Sequence, residues 1–391
     1  MKPARFALKI TVNILTIIGC LSGAIQLMRP FSFVEWIETA PSVDRSQQLS
    51  DTFETLSRNL GWQGSVKYIV NGSKKIDKIW SKYPDIFAND RPFPINSMSK
   101  QFTAAAILRL QEQGRLSIYD PICNFFAKFC EGDKKIVTLH HLLTHTSGLA
   151  PTFTLDDFIW TISPKEIAEQ TIKLTGTPGK TFEYSNFGYQ LLSAVIAKIT
   201  GLEFSQAMKI LVFSPAGLSH TQVYTSGIDP ADLALGLSTW ILSPLGPTLH
   251  APVPRFATNR ANSYGAGAIL STPEDLLKWA KHISQQEFLT KESYAQYLQP
   301  ALKDYALGWA ILDDSGERLV WHNGGSTGLH SDFYIGENDT YLLVLSNTHA
   351  IGNDIAKAMN SIQNLMTGKP YLLPQERKWI PSFSLSFLNN N

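Results

Sequence analysis

Ser97 and Lys100 stand three residues apart in Ser97-Met98-Ser99-Lys100, at the start of a run of strong helix formers that extends to Gln113. On a helix that spacing puts the hydroxyl and the amine on one face, a turn apart. A serine hydroxyl is a weak nucleophile at neutral pH and needs an adjacent base. A lysine held beside Phe102, Leu110 and the apolar residues 104–108 is pushed toward its neutral form by desolvation and can be that base. The helix N-terminus adds backbone N–H groups near a developing oxyanion. Alone the pattern is weak, because a capping Ser97 with an exposed Lys100 satisfies it equally.

Two further motifs change that weighting. Tyr184 and Asn186 present a phenol and an amide two residues apart, just before an amphipathic stretch. A phenol beside a lysine can relay protons and an amide can orient a substrate carbonyl; a packed tyrosine and a capping asparagine are the structural alternative. Trp321-His322-Asn323-Gly324-Gly325 ends a strand-like run, where glycines let a substrate approach the backbone closely. The overlapping Gly324-Gly325-Ser326-Thr327-Gly328 matches the G-x-S-x-G nucleophile elbow, but that elbow needs a helix after the turn, and strand-like residues 331–335 follow instead. Ser326 is therefore not expected to be the nucleophile. His140, His141 and His145 lack both the glutamate of H-E-x-x-H and a third ligand, so structural hydrogen bonding is expected of them and no metal.

The elements that must hold these groups are readable from periodicity and turn chemistry. β-prone residues 65–70 and 76–81 flank Asn71-Gly72-Ser73, a hairpin signal. Helical or loop-rich sequence follows to about residue 288, with helices expected over 97–113, 138–143, 164–174, 187–200 and 272–284. The longest irregular part, about 224–262, has the length of a lid or a wall. Strand character returns over 307–312, 318–322, 331–335 and 340–346, and a helix over 354–366 closes the body. The order predicts an α+β fold, one antiparallel β-sheet flanked by helices and split by an inserted α-helical lobe. The sheet lobe is expected over about 55–96 and 300–368 and the helical lobe over about 97–299, within a domain spanning 41–368. The site should lie at their seam.

Taken together, the motifs resemble the serine β-lactamase and penicillin-binding protein superfamily, in particular its class C-like branch with the related esterases and D-aminoacyl peptidases. The resemblance covers about residues 55–365 and rests on S-x-x-K at Ser97 to Lys100, Y-x-N at Tyr184 to Asn186, and H-x-G at His322 to Gly324, in that order. Accessory matches are residues 138–149, Tyr264-Gly265-Ala266-Gly267 and Tyr305-Ala306-Leu307-Gly308-Trp309. The resemblance implies that Ser97 attacks the substrate carbonyl, that Lys100 and Tyr184 move protons, and that Asn186 holds the acyl side chain. It also implies an oxyanion hole from the N–H groups of Ser97 and Gly325, with His322 and Gly324 lining the substrate site. No metal or organic cofactor is implied. His322 stands where the relatives most active on β-lactams carry lysine; being mostly neutral above pH 7, it is a poorer partner for a substrate carboxylate. The deacylating glutamate of class A enzymes has no counterpart here, which leaves deacylation to Tyr184 and Lys100.

The chain has 391 residues, 44% hydrophobic and 17% charged, with a formal charge of +1. That composition excludes disorder as the main state and offers no basic field for nucleic acid. Lys2, Arg5 and Lys9 precede a mostly apolar run over residues 10–28, which reads as an export segment. An uncleaved membrane anchor, cleavage after Ala24 and lipidation at Cys20 compete, and residues up to about 40 read as linker. All three fates place the body outside the cytoplasm. Cys123 and Cys130 are expected either to pair or to remain buried thiols. Residues 369–391 form a C-terminal extension whose Trp379, Ile380, Phe383 and Phe387 suggest packing. The expected activity is hydrolysis of an ester or amide in a small-molecule or peptide substrate of cell-wall type. The competing reading is a non-catalytic module that recognises peptidoglycan peptides or a protein partner.

Overall fold

The computed structural model describes residues 32–42, 44–81, 84–87, 91–150, 164–169, 172–225, 237–240, 249–252, 263–314, 317–326, 328–350 and 353–378. Its first strand, β1 (Ser32–Thr39), lies in the stretch expected as linker and pairs antiparallel with Tyr371–Lys378, in the stretch expected as an extension. The pairing gives both terminal segments backbone partners. Arg45 Nη1 ties the ribbon's root to the body by donating to the Met366 carbonyl at 3.0 Å. The export segment, Cys20 and Trp379, Ile380, Phe383 and Phe387 lie outside the described residues. Among those that are described, no helix is long and apolar enough to cross a membrane.

Helix α1 (Ser46–Leu60) ends on left-handed Gly61 and leads into β2 (Gly64–Val70) and β3 (Ser73–Trp80). Asn71 and Gly72 both take positive φ, 51° and 72°, as a two-residue turn between right-twisted strands requires. The helical lobe follows, built around α2 (Ser99–Glu112), α3 (Asn186–Thr200) and α4 (Pro273–Gln285). The chain then returns through β4 (Ala310–Asp314), β5 (Glu317–Ser326), β6 (Leu329–Ile335) and β7 (Tyr341–Ser346), and ends with α5 (Asn353–Met366) and β8 (Tyr371–Lys378). The main sheet has the order β3-β2-β7-β6-β5-β4. Every neighbour in it is antiparallel, so the α+β reading stands.

Period-two alternation sends each strand's residues to two different cores. Leu343 and Leu345 of β7 join the large core around α2 and α4, with Phe102 and Trp279. Leu342 and Val344 face the opposite way, toward Phe53, Trp62 and Trp80 and the helices α1 and α5.

Two expectations need correction. The helix predicted over 164–174 stops at Ala168, because residues 173–176 pair with the 148–150 backbone: the Ala150 N–H donates to Lys173 O at 3.0 Å and the Thr175 N–H to Gly148 O at 2.7 Å. The stretch 224–262 contains two short antiparallel strands, Leu237–Trp240 and Leu249–Pro252, the first running parallel to Thr348–Ala350; most of the remainder lies outside the described residues. Of the two fates open to the cysteines, the structure has the disulfide Cys123–Cys130, with Cα atoms 4.7 Å apart.

Candidate active site

Ser97 sits in a 3-10 turn, Asn96–Met98, that runs directly into α2. The residue before it, Asn96, is held in left-handed backbone at φ 53°, and its Nδ2 donates to the Pro94 carbonyl at 3.3 Å. A non-glycine residue in that region is strained, and here the strain falls immediately before the serine. Ser99 Oγ has a different task, accepting the Ile269 N–H at 3.0 Å.

Lys100 is completely buried. Its Nζ is 3.1 Å from Ser97 Oγ, 2.7 Å from Asn186 Oδ1 and 2.8 Å from the Ala266 carbonyl oxygen. Burial holds this amine well below the usual lysine range. A neutral amine has two N–H donors and one lone pair. The amide oxygen and the peptide carbonyl can only accept, so they take the two donors, and the lone pair is left for the Ser97 hydroxyl. In its neutral form, toward which burial pushes it, Lys100 is thus placed with its lone pair on the Ser97 hydroxyl.

Asn186 is free for Lys100 because Ser185 caps α3, its Oγ accepting the Gly188 N–H at 3.3 Å. The Tyr184 ring stands 4.8 Å from Lys100 Nζ, and 39% of the residue is exposed at the mouth of the site. Desolvation raises the phenol's pKa, and a hydrogen bond with Ser97 opposes that rise only in part. The environment therefore pushes lysine down and tyrosine up, each toward its neutral form.

His322 is buried beneath them, 3% exposed. Its Nδ1 contacts the Asn323 carbonyl at 2.5 Å, which assigns the ring proton to Nδ1, and its Nε2 then accepts from the Tyr305 hydroxyl at 2.9 Å. Desolvation and the Lys100 amine push its pKa down to about 3. The imidazole is neutral at physiological pH and committed to the protein. Gly324 packs so closely on the serine's turn that a Cβ there would lie 2.2 Å from the Ile95 carbonyl oxygen. That contact, with Ser331 Oγ donating to the same oxygen at 3.1 Å, holds the β5 strand containing Gly325 against the Ser97 turn.

Ser326 lies in the β5–β6 hairpin opposite Leu329, with a strand and no helix after it. His140 stacks on Tyr119 at 5.5 Å, and the Nδ1 of His141 accepts the Thr138 N–H at 3.2 Å in a capping box. Ser97, Lys100, Tyr184, Asn186 and His322 thus converge on one site. Sequence reasoning missed the Ala266 carbonyl, Tyr305 and the strained Asn96, and gave His145 a structural hydrogen bond without its partner, the Ser185 N–H. The accessory motifs over residues 264–267 and 305–309 marked the right segments, without the backbone oxygen or the phenol that matter.

An inserted helical lobe on an antiparallel sheet, with a serine–lysine pair at the head of the buried helix, defines the architecture of the serine β-lactamases and penicillin-binding proteins. The Beta-lactamase family model matches residues 55–361, and the chain belongs to that family, whose members are typically serine hydrolases and acyl transferases. It is 28% identical over 361 residues to Penicillin-binding protein 4* of Bacillus subtilis, covering 85% of this chain and 78% of that protein. Among solved structures, the octameric penicillin-binding protein homologue from Pyrococcus abyssi superposes with a TM-score of 0.66 at 24% identity, covering 84% of this chain and 78% of that one. A D-stereospecific amidohydrolase from Streptomyces does so with a TM-score of 0.65 at 21% identity, covering 80% and 97%. Both structures share the fold.

Proposed function

We propose that the protein is an exported serine hydrolase that cleaves an ester or amide through an acyl-Ser97 intermediate. The observation that carries this reading is the threefold environment of the buried Lys100 amine, with two fixed acceptors and the Ser97 hydroxyl. In the forward step the Ser97 proton moves to Lys100 Nζ as Oγ bonds to the carbonyl carbon. The N–H groups of Ser97 and Gly325 receive the oxyanion. Tyr184 gives its proton to the leaving group as the scissile bond breaks, and Lys100 returns the proton taken from serine to the phenol. Water then repeats the sequence in reverse, releasing the acid and the free serine.

The neutral, buried His322 gives no cation for a substrate carboxylate. This favours an uncharged ester or a D-aminoacyl amide over a β-lactam. Location outside the cytoplasm is supported by the N-terminal sequence and by similarity to a penicillin-binding protein.

The test is turnover of a short-chain p-nitrophenyl ester by the full-length protein in mild detergent. Ser97→Ala should abolish it, while Ser326→Ala should leave it unchanged. Turnover surviving in Ser97→Ala, or lost only in Ser326→Ala, would overturn the assignment.

A further inference from the structure

Of the three clustered histidines, His140 and His141 are accounted for by Tyr119 and Thr138; His145 is used differently. It takes left-handed backbone, φ 57°. Its carbonyl oxygen accepts the Glu183 N–H at 2.8 Å, and its Nδ1 accepts the Ser185 N–H at 3.1 Å. Tyr184 lies between those two donors, its ring centroid 4.2 Å from the imidazole. One residue thus grips the backbone on both sides of the tyrosine and packs against its ring. The same grip orients Ser185, which caps α3, and through it Asn186, which holds Lys100.

The arrangement carries two costs. A backbone N–H can only donate, so Nδ1 is the acceptor and the ring proton sits on Nε2. Among the described residues that atom is buried without a hydrogen-bond partner, and the imidazole lies among the rings of Tyr305 and Tyr189 at 4.7 and 5.2 Å. A buried unsatisfied donor is one cost, and a non-glycine residue in left-handed backbone is a second at the same position. Both fall on the residue that fixes Tyr184.

We propose that His145 is the positioning residue of Tyr184, its carbonyl and Nδ1 together setting how the phenol meets Ser97 and Lys100. The inference rests on the reading of Tyr184 as the proton carrier. His145 then acts on the chemical step and not on substrate affinity.

The test measures kcat and KM with the p-nitrophenyl ester in full-length protein, per active site labelled by a serine-reactive fluorophosphonate. In His145→Asn the side-chain oxygen falls where Nδ1 was; in His145→Gln the same amide sits one carbon farther out. His145→Gln should lower kcat about 10- to 100-fold with KM within about twofold of wild type, and His145→Asn should restore most of the loss. Glutamine's strain at positive φ would appear in the melting temperature and the labelled fraction, not in kcat per labelled site. Should the glutamine variant fail to fold, His145→Phe makes the same comparison by keeping a ring and losing the acceptor. Unchanged kcat per labelled site in the glutamine or phenylalanine variant, a loss confined to KM, or an asparagine variant as impaired as glutamine would overturn the proposal. Tyr184→Phe is run beside them. Full activity there would instead sink the functional reading of Tyr184, a failure separable from that of His145.

Discussion

The two faces of the main sheet are made by alternate residues of the same strands and have opposite character. Toward α2, the strands cover a site where Lys100, His145 and His322 are buried and pushed toward neutrality by desolvation. Toward α1 and α5, they cover an aromatic core in which Phe53, Trp62 and Trp80 lie within 6.2 Å of one another, ring to ring. A buried titratable pair on that side, His330 and Asp332, holds the histidine toward its charged form. The contrast fits a division of labour in which one face is packed for stability and the other holds the buried polar groups of the proposed reaction. If that is right, substitutions on the two faces should separate activity from stability.

The largest separation is expected at Lys100. Lys100→Met removes the proposed base while keeping an unbranched chain of similar length, so turnover should fall by about 10²- to 10⁴-fold. Stability is subject to opposing effects. The desolvation cost of the amine disappears, but Asn186 Oδ1 and the Ala266 carbonyl lose their donor. A net change within about 2 kcal/mol is expected, read from urea denaturation beside ester turnover. A variant that no longer folds would show that the site face is structural as well, and the division would fail.

The reverse experiment is Phe53→Ala. Phe53 is fully buried, with ring centroids 5.0 Å from Trp62 and 5.8 Å from Trp80. Emptying that space should cost about 3–5 kcal/mol, while kcat per fluorophosphonate-labelled site stays at the wild-type value. A parallel fall in kcat would mean that the rear core shapes the site through the sheet.

How much of this was legible in the sequence follows from how local each signal is. Ser97 and Lys100 are brought together by one helical turn, and the 71–72 turn by its own backbone preferences, so short spacing sufficed for both. The helix order and the antiparallel return strands were legible because their periodicity lies within each segment. The ribbon of β1 and β8 was not, since neither strand's pattern names a partner more than three hundred residues away. The Ala266 carbonyl was invisible for a further reason: a backbone oxygen has no residue type. The structural hydrogen bonding expected of His145 is present in the bond from the Ser185 N–H, but the sequence could not name that partner, because the pairing depends on the left-handed backbone at His145. The neutral state of His322 follows from burial and the Lys100 amine, and its sequence neighbours reveal neither.

The two faces should also respond to pH in opposite directions. On the site face, His322 titrates at about 3, and His145 also lies well below the ordinary value of 6.5. The unfolded chain therefore takes up these protons first as pH falls. The stability tied to the neutral rings is fully present above about pH 6.5 and is lost progressively from there toward pH 3. On the rear face, burial opposes protonation of His330, but the charge and hydrogen bond of Asp332 outweigh it and raise the pKa. That contribution is fully present below pH 6.5 and is lost as pH rises through the raised value. Melting temperatures measured from pH 4 to 9 for wild type, His322→Gln and His330→Gln should show slopes of opposite sign. The gap between wild type and His322→Gln narrows toward acid, and the gap to His330→Gln narrows toward base. Slopes of the same sign would mean that the two faces do not differ in how they hold their buried histidines, and the division would then rest on packing alone.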